Sequence, residues 1–165
     1  MRFIKWLCFG CFLIVTLFCK KQYTLENGMP TKEDVILKTM ELLQKGDIES
    51  FNKVLLSRKE HNEYFWPNIG ERFHSDKGIN ADIAYDMMQA ETQMRLKVLI
   101  AAYKGKEFSL ENVKCSRPLE IYGPFELHLG CNLDVIFKDG KKIKETTING
   151  VICTNNLCKL YHLKD

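Results

Sequence analysis

Residues 125–137 read FELHLGCNLDVIF, and every odd position is apolar: Phe125, Leu127, Leu129, Cys131, Leu133, Val135 and Phe137. Glu126, His128, Asn132 and Asp134 hold even positions. Successive strand side chains point to opposite faces, so this alternation predicts a sheet with one face buried. The stretch is longer than an ordinary strand. Gly130, which has no side chain to pack, marks an expected bend or bulge.

The flanking turns set the register. With Gly123 at the centre of the preceding turn, Cys115 falls opposite Cys131 and Leu119 opposite Leu127. Val113, Cys115, Leu119 and Ile121 then share the buried face. Asp139-Gly140 as a two-residue turn sets Ile148 against Cys131 and Ile152 against Leu127. Asn155-Asn156 as the last turn sets Cys153 against Cys158, beside Val151 and Leu160, on the other face of the sheet. Asn149-Gly150 is a competing turn signal that would leave only stubs of strand. Four cysteines allow three connectivities. Cys115–Cys131 with Cys153–Cys158 is the one in which no chain passes through the sheet.

Ahead of the strands the pattern is helical. Thr31 caps a helix with Glu33 and Asp34 in its first turn and Lys45-Gly46 at its end, matching the dipole and a C-terminal glycine. Ile36, Met40 and Leu43 line one face. Asp47 caps a second helix carrying Ile48, Phe51, Val54 and Leu55, and Ser57 a short third that stops at Pro67. Asn80 opens the longest helix, in which Ile83, Met87, Ala90, Met94, Val98 and Ala101 form an apolar stripe ending near Lys104-Gly105. Asn68–Ile79 reads as a polar loop. The fold class is therefore α+β: three to four N-terminal helices packed on a curved antiparallel sheet of about four to five strands.

The first 19 residues, MRFIKWLCFGCFLIVTLFC, place Arg2 and Lys5 before the apolar run Trp6–Phe18. A positive segment ahead of a short apolar core has the form of a secretory signal, and the run is shorter than the ~20 residues a spanning helix needs. Cys19 stands where a lipoprotein precursor carries its lipid-modified cysteine. The readings are lipid attachment at Cys19, an uncleaved anchor with Met1–Lys21 in the membrane, and ordinary secretion, for which no Ala-x-Ala site appears nearby. Taking the first, 1–18 is signal, 19–30 lipid attachment and tether, and 31–165 one domain. Lys20 is not the Asp-type signal for inner-membrane retention, so the outer membrane is the expected address, outside the cytoplasmic membrane. Stable anchoring needs several acyl chains, palmitate among them.

Losing Arg2 and Lys5 with the signal lowers the net charge from +3 to +1. That balance supplies no basic face for nucleic acid. Of seven cysteines, Cys115, Cys131, Cys153 and Cys158 lie in the domain, and an even number in an exported chain reads as disulfides.

Helices followed by a long bent sheet resemble the cystatin-like and NTF2-like α+β folds, in which the sheet curls around a helix. Gln44-Lys45-Gly46-Asp47-Ile48-Glu49-Ser50-Phe51 resembles the turn and Phe/Leu helix after the first helix of NTF2-like domains. That resemblance implies a small-molecule-binding or enzymatic cone with a pocket between the long helix and the sheet. Leu17-Phe18-Cys19, Glu63-Tyr64-Phe65-Trp66-Pro67 and the cysteines around Tyr122-Gly123 resemble the uncharacterised lipoproteins of spirochaetes such as Leptospira. That second resemblance implies a location and a fold, and no activity.

Chemistry-bearing motifs are sparse. His61, His74, His128 and His162 have no metal-site spacing, and His128 and His162 read as surface residues facing away from the core. His74-Ser75-Asp76 reads as solvated loop, because triads are made by geometry rather than adjacency. With a partner for each mature cysteine, no free thiol is left for catalysis. Asp82 and Asp86, four apart, share a solvated helical face. No phosphate loop, metal site, cofactor motif or catalytic set is predicted. Tyr64, Phe65 and Trp66 are the candidate binding residues, able either to line a pocket mouth or to cover the open end of the core. The expected role is a non-enzymatic binding or interaction module, its partners the membrane through the N-terminal lipid and a protein or small molecule. An NTF2-like binding or enzymatic domain is the alternative.

Overall fold

Helix α1 spans Lys32–Lys45, and its boundaries are those that local chemistry dictates. Thr31 accepts a hydrogen bond from the Asp34 N–H, and Gly46 closes the other end at φ 68°. The Gly46 and Asp47 N–H groups return to Leu43 O and Leu42 O, a paired closure that needs the left-handed glycine. Asp47 then caps α2, Ile48–Val54, through the Ser50 N–H. The computed structural model describes residues 23–69 and 78–164. The expected signal, Cys19 and His74-Ser75-Asp76 lie outside the described residues.

After α2 the chain makes a π-helical turn, Glu60–Phe65, and a 3-10 turn, Trp66–Asn68. Asn80 caps α3, Ala81–Tyr103, by accepting from the Ile83 N–H. Seven strands follow: β1 Phe108–Cys115, β2 Glu120–Tyr122, β3 Phe125–Leu129, β4 Cys131–Phe137, β5 Lys142–Glu145, β6 Gly150–Thr154 and β7 Leu157–His162. They form two antiparallel sheets, ordered β1-β4-β5 and β2-β3-β6-β7. The class is α+β, with seven strands in two sheets where the alternation predicts four to five in one.

Gly130 is the reason for two sheets. It sits at φ 66° between β3 and β4, so the 125–137 run turns there and passes from one sheet to the other. The Asn149 side chain fixes the bend by accepting from the Gly130 N–H at 2.9 Å. Odd residues on either side consequently enter different cores. Cys131, Leu133 and Val135 pack with α1, α2 and α3, whereas Phe125, Leu127 and Leu129 pack with Leu25, Leu56 and Phe65. The four-stranded sheet has core residues on both faces, Val151, Cys158 and Leu160 in the first core and Leu127, Leu129 and Ile152 in the second.

Two turns move the register by one residue. Tyr122 pairs with Phe125 across Gly123-Pro124, so Glu120, not Leu119, meets Leu127. A one-residue slip exchanges the faces of a strand, and Leu119 and Ile121 are exposed rather than buried. The loop Lys138–Gly140 has three residues, because the Phe137 N–H bonds Lys141 O. Its glycine at φ 85° suits the bulged three-residue form. Ile148 therefore lies outside the strands and does not pair with Cys131, although Ile152 does meet Leu127. The Asn155-Asn156 turn has both residues at positive φ and pairs Cys153 with Cys158.

Cys115–Cys131 and Cys153–Cys158 are both disulfide-bonded. Both reach the core shared with the helices instead of opposite faces, again because the chain turns at Gly130. Residues 23–30 are no loose tether. Leu25 is buried, the Met29 N–H and C=O exchange hydrogen bonds with Cys158 at 2.8 and 2.7 Å, and Asn155 donates to Tyr23 O. Met29 and Leu55 bridge to β7 and so cover its outer edge.

The α3 stripe also differs from its expected place. Ile83, Met87, Met94 and Val98 are 44–62% exposed, and the buried residues of α3 are Thr92, Leu96, Leu99 and Tyr103. Helical periodicity identifies an apolar face, but α3 has two, and the core takes the other. Among the described residues, no helix is long and apolar enough to cross a membrane.

Candidate functional site

Ser57-Arg58-Lys59-Glu60 builds the support of the site. The Glu60 N–H donates to the Ser57 hydroxyl and the Ser57 N–H to the Glu60 carboxylate, a reciprocal capping box. Glu60 is 2% exposed and also accepts from the Glu26 N–H at 2.6 Å and from Lys159 Nζ at 2.8 Å. Lys159 is equally buried, on the face of β7 that turns toward this carboxylate. One carboxylate therefore ties the N-terminal segment, the π turn and the four-stranded sheet together. The capping box is legible in the sequence. Lys159 is not, because an inward lysine in a strand looks like any polar position of the alternation.

The fixed π turn carries the aromatic residues. Phe65 is buried and meets Tyr122, Phe125 and Tyr161 edge-on, with ring centroids 5.5–5.8 Å apart. Tyr64 turns away and packs on Tyr23 at 5.4 Å. Trp66, half-buried, lies 5.7 Å from the His61 ring. His61 itself is buried, and burial holds its pKa below the usual histidine value. Phe65 and Trp66, with Ile69, form one wall of a cleft of about 640 Å³ over the outer face of the four-stranded sheet. No residue of α3 belongs to this lining.

The cleft has two chemically different ends. Trp66, Ile69 and Tyr122 form an aromatic end, and the Tyr122 hydroxyl donates to Glu120 at 2.6 Å. Leu127, Leu129 and Tyr161 form the floor. Arg117, Asn149, His162 and Lys164 gather at the other end, beside Gly130 and Gly150. Arg117 is placed there by its N–H bond to Leu129 O, which extends the β1–β4 ladder past the Cys115–Cys131 bridge. A bulge supplies His162. The register slips between Gly150 and Val151, leaving Tyr161 as an extra residue, so consecutive side chains reach the cleft.

His162 is not a surface residue. Its Nδ1 is buried with no hydrogen-bond partner among the described residues, and a Cβ on Gly150 would approach that atom to 3.0 Å. Burial, then the Lys164 charge, pushes its pKa down to about 4. Burial, with Tyr122 and Glu120 nearby, pushes the Tyr161 hydroxyl up to about 12. At neutral pH the cleft therefore offers a neutral imidazole and a protonated phenol. His128 lies half-buried in a second cleft of about 380 Å³ near Lys32 and Cys153.

The depressed His162 pKa has a pH consequence. Between its folded value and the unfolded value near 6.5, the unfolded chain binds the extra proton. Stability is therefore intact above about pH 6.5 and falls as pH drops toward 4, by about 3 kcal/mol from this group. Urea midpoints measured from pH 7 to 4 should show that slope. The slope should be reduced in His162→Gln, with His61 and His128, whose pKa values burial also holds down, leaving a residual slope in the same direction.

Asp82 and Asp86 are exposed and both hold the guanidinium of Arg58, Asp82 at 2.9 Å. Among the described residues, no three His, Cys, Asp or Glu side chains are grouped to hold a metal ion. Comparison with protein-family models, with curated proteins and with solved structures finds no match for this chain.

Proposed function

We propose that this chain is an exported lipoprotein of the bacterial envelope, anchored through a lipid on Cys19 and acting by binding. Its ligand is an amphiphile with an apolar or aromatic body and an anionic group. The observation that carries this reading is the polarity of the cleft. Aromatic rings at one end and the leucine floor accept the body, and Arg117, Lys164 and Asn149 meet the anion at the other end. Ligand sites commonly combine an apolar lining with a few converging polar groups. The anchoring part rests on residues 1–19, with Lys20 favouring the outer membrane. Tyr23 is already packed on the domain, so Lys20–Gln22 leave a reach of about 10 Å between lipid and fold. The Tyr23 and Asn155 side of the domain then stands next to the membrane.

Trp6 leaves with the signal, which makes Trp66 the sole tryptophan of the processed chain. Anilinonaphthalene sulfonate, an aromatic body with one anionic group, serves as the probe. It should bind the processed chain saturably at one site and quench Trp66 by energy transfer. Arg117→Gln should weaken binding about tenfold, since a charged hydrogen bond contributes ~1.5–3 kcal/mol. Trp66→Phe should retain binding and lose the transfer. Non-saturable binding, or an Arg117→Gln variant of unchanged affinity, would count against the cleft.

A further inference from the structure

The second apolar face of α3 stands opposite its buried face. At 100° per residue, Ile83, Met87, Ala90, Met94, Val98 and Ala101 fall within an arc of about 80°. Thr92, Leu96, Leu99 and Tyr103, which enter the core, centre on the opposite side of the helix. A helix that is apolar on both faces is normally covered on both. Here Met87 and Val98 remain 62% and 60% exposed.

We infer that this face pairs with the same face of a second copy of this chain, the two helices running antiparallel about a two-fold axis level with Thr92. Two features of the helix point to this occupant. In that arrangement large residues meet small ones, Ile83 opposite the second copy's Ala101 and Ala90 opposite its Met94, with Met87 against Val98. An isologous contact of this kind requires the patch to complement itself. Charge follows the same symmetry. One flank of the stripe carries Asp82 and Asp86 in its first half and Lys97 in its second. An antiparallel two-fold brings like flanks together, setting Asp86 near the second copy's Lys97. The Asp82, Asp86 and Arg58 group keeps one net negative charge for this purpose. A helix lying on a membrane instead flanks its apolar face with Lys and Arg, and acids at one end of this flank do not suit anionic lipid.

The test uses the full-length chain as made in its own cell, oxidised in membranes and read on a non-reducing gel. Ile83→Cys with Ala101→Cys in one chain should give a disulfide-linked dimer, and either substitution alone should not. Adding Met94→Glu should lower the dimer at least tenfold, while the chain without the added cysteines, diluted until monomeric, keeps its melting temperature followed at Trp66. Several results would overturn the pairing: no dimer from the double variant, a dimer from Ile83→Cys alone, which marks parallel helices, or no effect of Met94→Glu. An adduct with a protein of different mass, or release of the Met94→Glu chain from the membrane, would assign the face to another occupant.

Discussion

Glu60→Ala is expected to cost about 3–5 kcal/mol of stability, the usual price of breaking a buried ion pair from one side. The carboxylate accepts from two backbone N–H groups and from Lys159, so its loss orphans all three donors and leaves a buried ammonium. For a domain of this size the melting temperature should fall by roughly 10 °C. Urea unfolding followed at Trp66 measures this. Lys159→Met is expected to cost less than Glu60→Ala, because the carboxylate keeps its two backbone donors. Combining Glu60→Gln with Lys159→Met should be milder than Glu60→Ala, since no uncompensated charge stays buried. Losses in Glu60→Gln and Lys159→Met measured singly that add up to the loss in their combination would mean that the two residues act independently.

Removing the Cys115–Cys131 bridge with a Cys115→Ser, Cys131→Ser pair should cost about 3 kcal/mol, and removing Cys153–Cys158 about 2, following the loop lengths of 16 and 5 residues. The two should also differ in function. The first bridge holds the β1–β4 ladder where it delivers Ser116 and Arg117 to Gly130 and Leu129. Its loss should therefore weaken anilinonaphthalene sulfonate binding several-fold at a temperature where the fold persists. The second bridge closes the β6–β7 hairpin beside Met29, away from the cleft, and its loss should leave the probe's affinity unchanged. Denaturant titration and probe binding on both variants distinguish stability from site geometry.

Much of this fold is legible in the sequence because its signals are local. Thr31, Gly46, Asp47 and Asn80 mark helix ends through hydrogen bonds to residues three to five positions away. Asn155-Asn156 fixes its hairpin, and with it Cys153 against Cys158, for the same reason. What is not legible depends on distant contacts. Gly130 announces a bend, but only the Asn149 side chain and the two sheets determine that the chain changes sheet there. The register at Gly123 hinges on whether Pro124 lies in the turn, a difference of one residue that turns Leu119 and Ile121 outward. Periodicity finds an apolar stripe on α3 but carries no information on which of two such faces meets the core.

The site is less legible still. Phe65 and Trp66 both stand at the cleft, yet Phe65 belongs equally to the second core, and Tyr64 packs with Tyr23 against that core, outside the cleft lining. Arg117, Tyr122, Asn149, Tyr161 and His162 carry no common motif. They meet because a ladder extends past a disulfide, a turn has two residues, and a bulge inserts Tyr161. Each device is tertiary, so no spacing in the sequence records it.

The most direct test of the account is the intact mass of the protein purified from its own membranes, unreduced and then reduced and alkylated. The expected result is the mass of Cys19–Asp165 plus acyl groups, with four alkyl labels gained only after reduction. A mass that retains Met1, or labels taken up without reduction, would contradict it and mean an uncleaved anchor or free thiols.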